Sequence, residues 1–279
     1  MINHSNTAEP PCIANTYPEK AKGLSDLLDL PICHNQSISS LWLDWLSDKK
    51  DPTLKLSLCS DKQGPVSIDF LGGKKAHRRQ FGGGKGQPLV RAMGQITQNE
   101  TSRLPTIIDA TAGIGGDSYV LASLGFKVQM IERSPIVAAL LNDALERANN
   151  PTEALDEEMA NSIQNLSLVN ADSAQYLLDE KPDIDVIYMD PMYPEKKKKA
   201  AAKKEMQALQ QLVGPDTDSE NLLAAALQTA KYRVVVKRPK GAVPVFCPIN
   251  NIQPSSQVSS PNTRYDIYVI KALKASNQL

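Results

Sequence analysis

From residue 105 onward, short apolar runs recur at intervals long enough to hold one helix each. The runs are Thr106–Asp109, Val128–Glu132, Leu166–Asn170, Val186–Asp190, Arg233–Lys237 and Tyr265–Ile270. Strands separated by helices pair through crossovers rather than hairpins, so the pattern dictates a mostly parallel, doubly wound α/β sheet. The segments 116–124, 135–149, 173–179, 200–212 and 219–230 read as helices. The second is the best marked. Ser134 can cap it and Pro135 sits in its first turn. Val137, Leu140, Leu141, Ala144, Leu145 and Ala148 follow the helical period and face the sheet.

Residues 1–70 differ in character, being sprinkled with Pro and Ser. Leu54–Leu58 and Val66–Phe70 alternate with period two, as half-buried strands of a small antiparallel piece, and Asp61–Pro65 forms the turn between them. The chain therefore divides into a small N-terminal β-containing subdomain (1–70), a Gly-rich basic connector (71–104) and a main domain (105–279). The stretch 240–262 reads as a loop with one short strand near Val258.

Lys and Arg number 31 and Asp and Glu number 31, so any case for a nucleic-acid partner must rest on local clusters of charge. Cys12, Cys33, Cys59 and Cys247 contain no C-x-x-C pair, which speaks against a metal site and a dense disulfide framework and suits a reducing cytoplasm. No secretory leader pattern is visible, and no apolar run approaches the roughly 18 residues of a membrane span. The expectation is a soluble, cytoplasmic protein.

The first strand of the main domain runs into Asp109-Ala110-Thr111-Ala112-Gly113-Ile114-Gly115-Gly116-Asp117. Glycines at this point let the chain turn tightly and bring backbone N–H groups close to a ligand. Alone, Gly113, Gly115 and Gly116 could simply make a tight turn. The second strand, however, ends at Glu132, near the roughly 20-residue offset at which an acidic side chain meets ribose hydroxyls. Asp172 and Ser173 follow the third strand, where a carboxylate can accept from an adenine amine. Three loops at adjacent strand ends then line one crevice, and a nucleoside is the better reading. A carboxylate at Asp117 repels a pyrophosphate but suits a cation, which favours S-adenosylmethionine over a nicotinamide dinucleotide. The cofactor candidates from this rim include Asp109, together with the glycines, Asp117 and Glu132.

The fourth strand ends in Asp190-Pro191-Met192-Tyr193, close to the D/N-P-P-Y/F loop of methyltransferases that act on planar exocyclic amines, with Met192 in place of the second proline. Such an amine shares its lone pair with the ring and is a poor nucleophile. Accepting its two hydrogens at the Asp190 carboxylate and the Pro191 carbonyl would steer the lone pair toward the methyl group. Tyr193 would stack on the extruded base. Lys196, Lys197, Lys198, Lys199, Lys203 and Lys204 follow at once and could neutralise flanking phosphates. Two further basic clusters are Lys74, Lys75, Arg78, Arg79 and Lys85 in the connector, and Lys237, Arg238 and Lys240 after the fifth strand.

Taken together, FLGGKKAHRRQFGGGKG, DATAGIGGDSYVLASLGFKVQMIERSPIVAALL, DPMYPEKKKKAAAKKEM, LVGPD, VVVKRP and RYDIY resemble the ribosomal small subunit methyltransferase J family, from about residue 64 to the end. The resemblance implies a Rossmann-like class I methyltransferase fold with an antiparallel C-terminal strand. It also implies S-adenosylmethionine as cofactor, 16S ribosomal RNA or the 30S particle as partner, and guanine N2 as acceptor. The loop alone would equally suit adenine N6, cytosine N4 or a glutamine amide, and a catalytically silent RNA-binding protein is the reading from another class. The family's cofactor contacts would fall on Gly116, Asp117, Glu132, Arg133, Asp172, Ser173 and Asp190. This chain departs from the family pattern at Gly116, where an arginine is expected, and at Asp172, where a small hydroxyl residue is expected.

Overall fold

The computed structural model describes residues 11–33, 40–47, 49, 51–61, 64–72, 84–98, 101–152, 154–192, 212–213 and 218–279. The N-terminal strands are β1 (Cys12–Ala14), β2 (Ile32–Cys33), β3 (Leu41–Leu46), β4 (Lys55–Ser60) and β5 (Val66–Ser67), arranged β2-β1-β3-β4-β5. The expected β4–β5 antiparallel pair is present, but β1 runs parallel to both β2 and β3. The sheet is mixed, not antiparallel, because the helix Pro18–Leu28 supplies a crossover between β1 and β2. That packing brings the Cα atoms of Cys12 and Cys33 to 5.7 Å, and the two form a disulfide. One disulfide falls short of the dense framework that the cysteine pattern speaks against; Cys59 and Cys247 are free and buried.

The connector contains a helix, Pro88–Met93, and a hairpin of β6 (Ile96–Gln98) and β7 (Thr101–Arg103) that the sequence pattern did not reveal. Arg103 fastens the hairpin to the main sheet through two hydrogen bonds to the Asp185 carboxylate, at 2.5 and 3.0 Å. Burial opposes the charge on Asp185, but Arg103 and the Thr106 N–H and hydroxyl outweigh it and hold the carboxyl below its ordinary range.

The main sheet comprises β8 (Ile107–Asp109), β9 (Val128–Glu132), β10 (Leu166–Asn170), β11 (Val186–Met189), β12 (Arg233–Pro239), β13 (Ser256–Ser259) and β14 (Thr263–Val269). Their order is β10-β9-β8-β11-β12-β14-β13. The first five are parallel, and β14 is antiparallel to β12 and β13. Chain order reverses at β8, which pairs with β9 on one side and β11 on the other; the carboxyl ends there open into a crevice. Helices Gly116–Ser123, Pro135–Asn149, Ser173–Glu180 and Ser219–Thr229 lie close to their expected bounds. The expected helix 200–212 falls almost wholly outside the described residues.

The helix Pro135–Asn149 begins as read, with the Ser134 hydroxyl accepting from the Val137 N–H. Its apolar face is broader than one sheet requires: Ile136, Ala138 and Ala139 are buried along with the six expected positions. The reason is that β4 covers its other side, and its Asp143 carboxylate accepts from the Leu56 N–H. One core accordingly joins Ile13, Leu43, Leu58 and Phe70 to Tyr119, Met130, Leu140 and Leu141. Among the described residues, no helix is long and apolar enough to cross a membrane.

Candidate active site

The turn after β8 is shaped by its own carboxylate. Asp109 is 2% exposed, accepting from the Ser118 hydroxyl at 2.5 Å and from the Thr111 N–H at 3.2 Å. Burial pushes its carboxyl up to about 7 against those two bonds, helped by the nearby Asp117 and Asp190. Gly113 and Gly115 follow in the left-handed region. Gly115 is doubly required, since a Cβ there would lie 3.1 Å from Leu141 Cδ2 and 3.2 Å from Phe70 Cζ. That close packing ties the loop to the N-terminal sheet.

The ends of β9 and β10 hold the loop in place. Glu132 accepts from the Gly113 N–H at 2.9 Å through Oε2 and from the Ser134 N–H at 2.8 Å through Oε1. The Ser173 hydroxyl donates to the Ala110 carbonyl at 2.6 Å, and Asp172 caps its helix by accepting from the Gln175 N–H. Arg133 forms an ion pair with Asp218, the residue that begins the helix Ser219–Thr229.

The end of β11 reaches the same space. The Asp190 N–H donates to the Thr111 hydroxyl at 2.6 Å, fixing the two loops to each other. Asp117 Oδ2 accepts from the Tyr188 hydroxyl at 2.7 Å and from the Lys237 ammonium at 2.8 Å. The same ammonium donates to Asp190 Oδ2 at 2.7 Å. Burial and the three neighbouring carboxylates raise Tyr188 well above its ordinary range, keeping it a donor. For Lys237, burial opposes the charge, but Asp117 and Asp190 outweigh it and keep the ammonium protonated.

These elements enclose an open crevice of about 590 Å³. Of the residues singled out in the sequence, Asp109, Gly113, Gly116, Asp117, Glu132, Arg133, Asp172, Ser173, Asp190 and Pro191 line it. Gly115 does not line it but packs beneath it.

The SAM_MT family model, of SAM-dependent methyltransferases, matches residues 27–270. The ribosomal RNA small subunit methyltransferase J of Hydrogenovibrio crunogenus is 55% identical, covering 94% of this chain and 95% of its own. The protein of the same name from Chromobacterium violaceum is 44% identical, with 94% and 96% covered. The crystal structure of a SAM-dependent methyltransferase from Neisseria gonorrhoeae is 29% identical with a TM-score of 0.66, covering 93% of this chain and 96% of that one. The chain belongs to the ribosomal RNA small subunit methyltransferase J family. It is a SAM-dependent methyltransferase with the Rossmann-like class I fold.

The crevice suits that cofactor. Its cations among the described residues, Arg133 and Lys237, are both paired with carboxylates, so it offers no ready seat for a diphosphate. Acidic groups at Asp117, Glu132 and Asp172 match a ligand bearing a sulfonium, an ammonium, ribose hydroxyls and an adenine amine.

Two expected phosphate contacts require correction. Lys237 lies inside the crevice as the partner of Asp117 and Asp190. Arg238 is 6% exposed and donates twice to the Val243 carbonyl, so its guanidinium is turned into the fold. Period-two alternation at the end of β12 was the signal that could have separated these neighbours onto opposite faces. Tyr193, Lys196, Lys197, Lys198, Lys199, Lys203 and Lys204 lie outside the described residues, as do Lys74, Lys75, Arg78, Arg79 and the side chain of Lys85. Thr111, Tyr188 and Asp218 also line the crevice, and nothing in their sequence context singled them out.

Proposed function

We propose that this protein transfers a methyl group from S-adenosylmethionine to the exocyclic N2 amine of a guanine in 16S ribosomal RNA, acting in the cytoplasm on that RNA or on a 30S particle. The observation that carries the reading is Asp190 at the crevice rim beside the glycine loop, its backbone N–H held by Thr111 and its carboxylate by Lys237. The family's name supplies the class of RNA, and guanine N2 follows from the family resemblance.

The bound cofactor would supply an electrophilic methyl group on a sulfonium. Asp117, Glu132, Arg133, Asp172 and Ser173 would hold it, over the backbone of Gly113 and Gly116. Asp190 and the Pro191 carbonyl would accept the two amine hydrogens, and Asp190 is a base for the proton the nitrogen sheds. Most of the acceleration would come from orientation and preorganised charge. Tyr193 would stack on the base, and Lys196–Lys199, Lys203 and Lys204 would meet its flanking phosphates. In this reading residues 105–279 form the catalytic domain, and residues 1–70 form a subdomain that braces its glycine loop through the shared core.

The test is a transfer reaction with S-adenosylmethionine and undermodified small-subunit RNA or 30S particles, digested to nucleosides and read by mass spectrometry. N2-methylguanosine is the expected product. Methyl on adenine or cytosine would overturn the acceptor, and no transfer by cofactor-binding protein would overturn the substrate.

A further inference from the structure

We propose that Lys237 is a positioning residue for methyl transfer, which fixes the Asp190 carboxylate at the rim and sets how strongly the crevice prefers a cationic cofactor to its neutral product. The inference rests on the methyltransferase reading above and adds to it the charge balance between the two carboxylates.

The geometry carries it. One ammonium bridges Asp117 on the helix Gly116–Ser123 and Asp190 after β11, at 2.8 and 2.7 Å. Asp117 has a second donor in the Tyr188 hydroxyl, fixed by its place in β11. Asp190 is the more exposed of the pair, its side chain 41% accessible against 11% for Asp117. Thr111 holds the backbone of Asp190, whereas Lys237 holds its carboxylate. Lys237 itself stands in the well-paired part of β12, opposite Tyr265 of β14, so the bridge has a rigid footing.

Removing the ammonium has two consequences that work in opposite directions. Like charges at Asp117 and Asp190 lose their common partner and repel, so Asp190 leaves its aligned position and transfer slows. At the same time the crevice becomes more negative, which favours the sulfonium of S-adenosylmethionine over the neutral thioether of S-adenosylhomocysteine. A purely structural lysine would weaken both ligands alike.

The experiment compares the parent, Lys237→Met and Lys237→Arg. Calorimetry gives the affinities for S-adenosylmethionine and S-adenosylhomocysteine, and single-turnover reactions on RNA give the rate at saturating cofactor. The expected result for Lys237→Met is a rate about 100-fold lower, with the affinity ratio shifted about tenfold toward the sulfonium form. Lys237→Arg should restore most of both. An unchanged ratio with a rate within about threefold of the parent overturns the proposal, as does equal loss of affinity for both ligands. If Lys237→Met does not fold, Lys237→Gln carries the same comparison. Should the parent methylate no RNA, the acceptor reading fails, while the affinity ratio still decides the role of Lys237.

Discussion

At the ends of β8 and β9, two buried carboxylates brace the glycine loop, whereas Asp117 and Asp190, which come from the helix after β8 and the end of β11, are joined by a lysine of β12. Asp109 and Glu132 are 2% and 7% exposed and accept from the N–H groups of Thr111, Gly113 and Ser134. Asp117 and Asp190 are instead joined by Lys237, with Asp190 open at the rim. The first arrangement makes a rigid cradle whose shape is set before any ligand arrives. The second places charge where a reacting amine can meet it. In the proposed reading, holding and reacting fall to different pairs of carboxylates on one rim.

Substitutions can break this comparison in graded ways. The largest effect is expected for Asp190→Ala, which should abolish transfer without altering the thermal unfolding temperature; an unimpaired rate would remove the amine contact. Glu132→Ala should come next. It strips the acceptor from two N–H groups, at about 1–3 kcal/mol for each one left buried without a partner, and urea unfolding would show the loss. Tyr193→Ala should weaken binding of the extruded base by about 1–3 kcal/mol, read by RNA titration; binding equal to the parent's would end the stacking role.

Asp109 offers a smaller, pH-dependent test. Its folded carboxyl lies near 7 because it is buried, against about 3.9 in an unfolded chain. Between those limits the folded state binds the proton more readily, so this group's contribution to stability falls as pH rises from about 4 to about 7 and is flat above. Asp109→Asn should therefore gain stability relative to the parent between pH 5 and pH 8. A constant difference between the two across that range would contradict the buried-acid account. The mildest change is Lys196–Lys199 to glutamine, which should lower RNA affinity and its salt slope while leaving cofactor affinity alone. An unchanged slope would make the run an ordinary solvated surface.

The sequence was most legible where a strong period met a clear cap. Val128–Glu132, Leu166–Asn170 and Pro135–Asn149 carry the bounds read from the pattern, because the apolar runs and the Ser134-Pro135 start leave little freedom. It was least legible where elements are short or polar. Strands β1 and β2 have three and two residues, too few for a period, and their parallel pairing comes from tertiary packing. The helix Glu157–Gln164 has only eight residues and buries only Ser162 and Ile163, so the apolar positions Met159, Ala160 and Ile163 of EEMANSIQ are too few to fix a period. The same limit applied to the site. Glycines and strand-end acids were visible as a motif, but Lys237 stands 120 residues from Asp117 and 47 from Asp190, and only the sheet order brings the three together.

The division between the two pairs of carboxylates is tested most directly by measuring cofactor affinity and single-turnover rate side by side in Glu132→Gln and Asp190→Ala. The account predicts a crossed result. Glu132→Gln should lose affinity yet transfer at near the parent rate once saturated, and Asp190→Ala should lose at least about 100-fold in rate with the smaller loss in affinity. Parallel losses of affinity and rate in both variants would contradict it, and would mean that the crevice works as one undivided site.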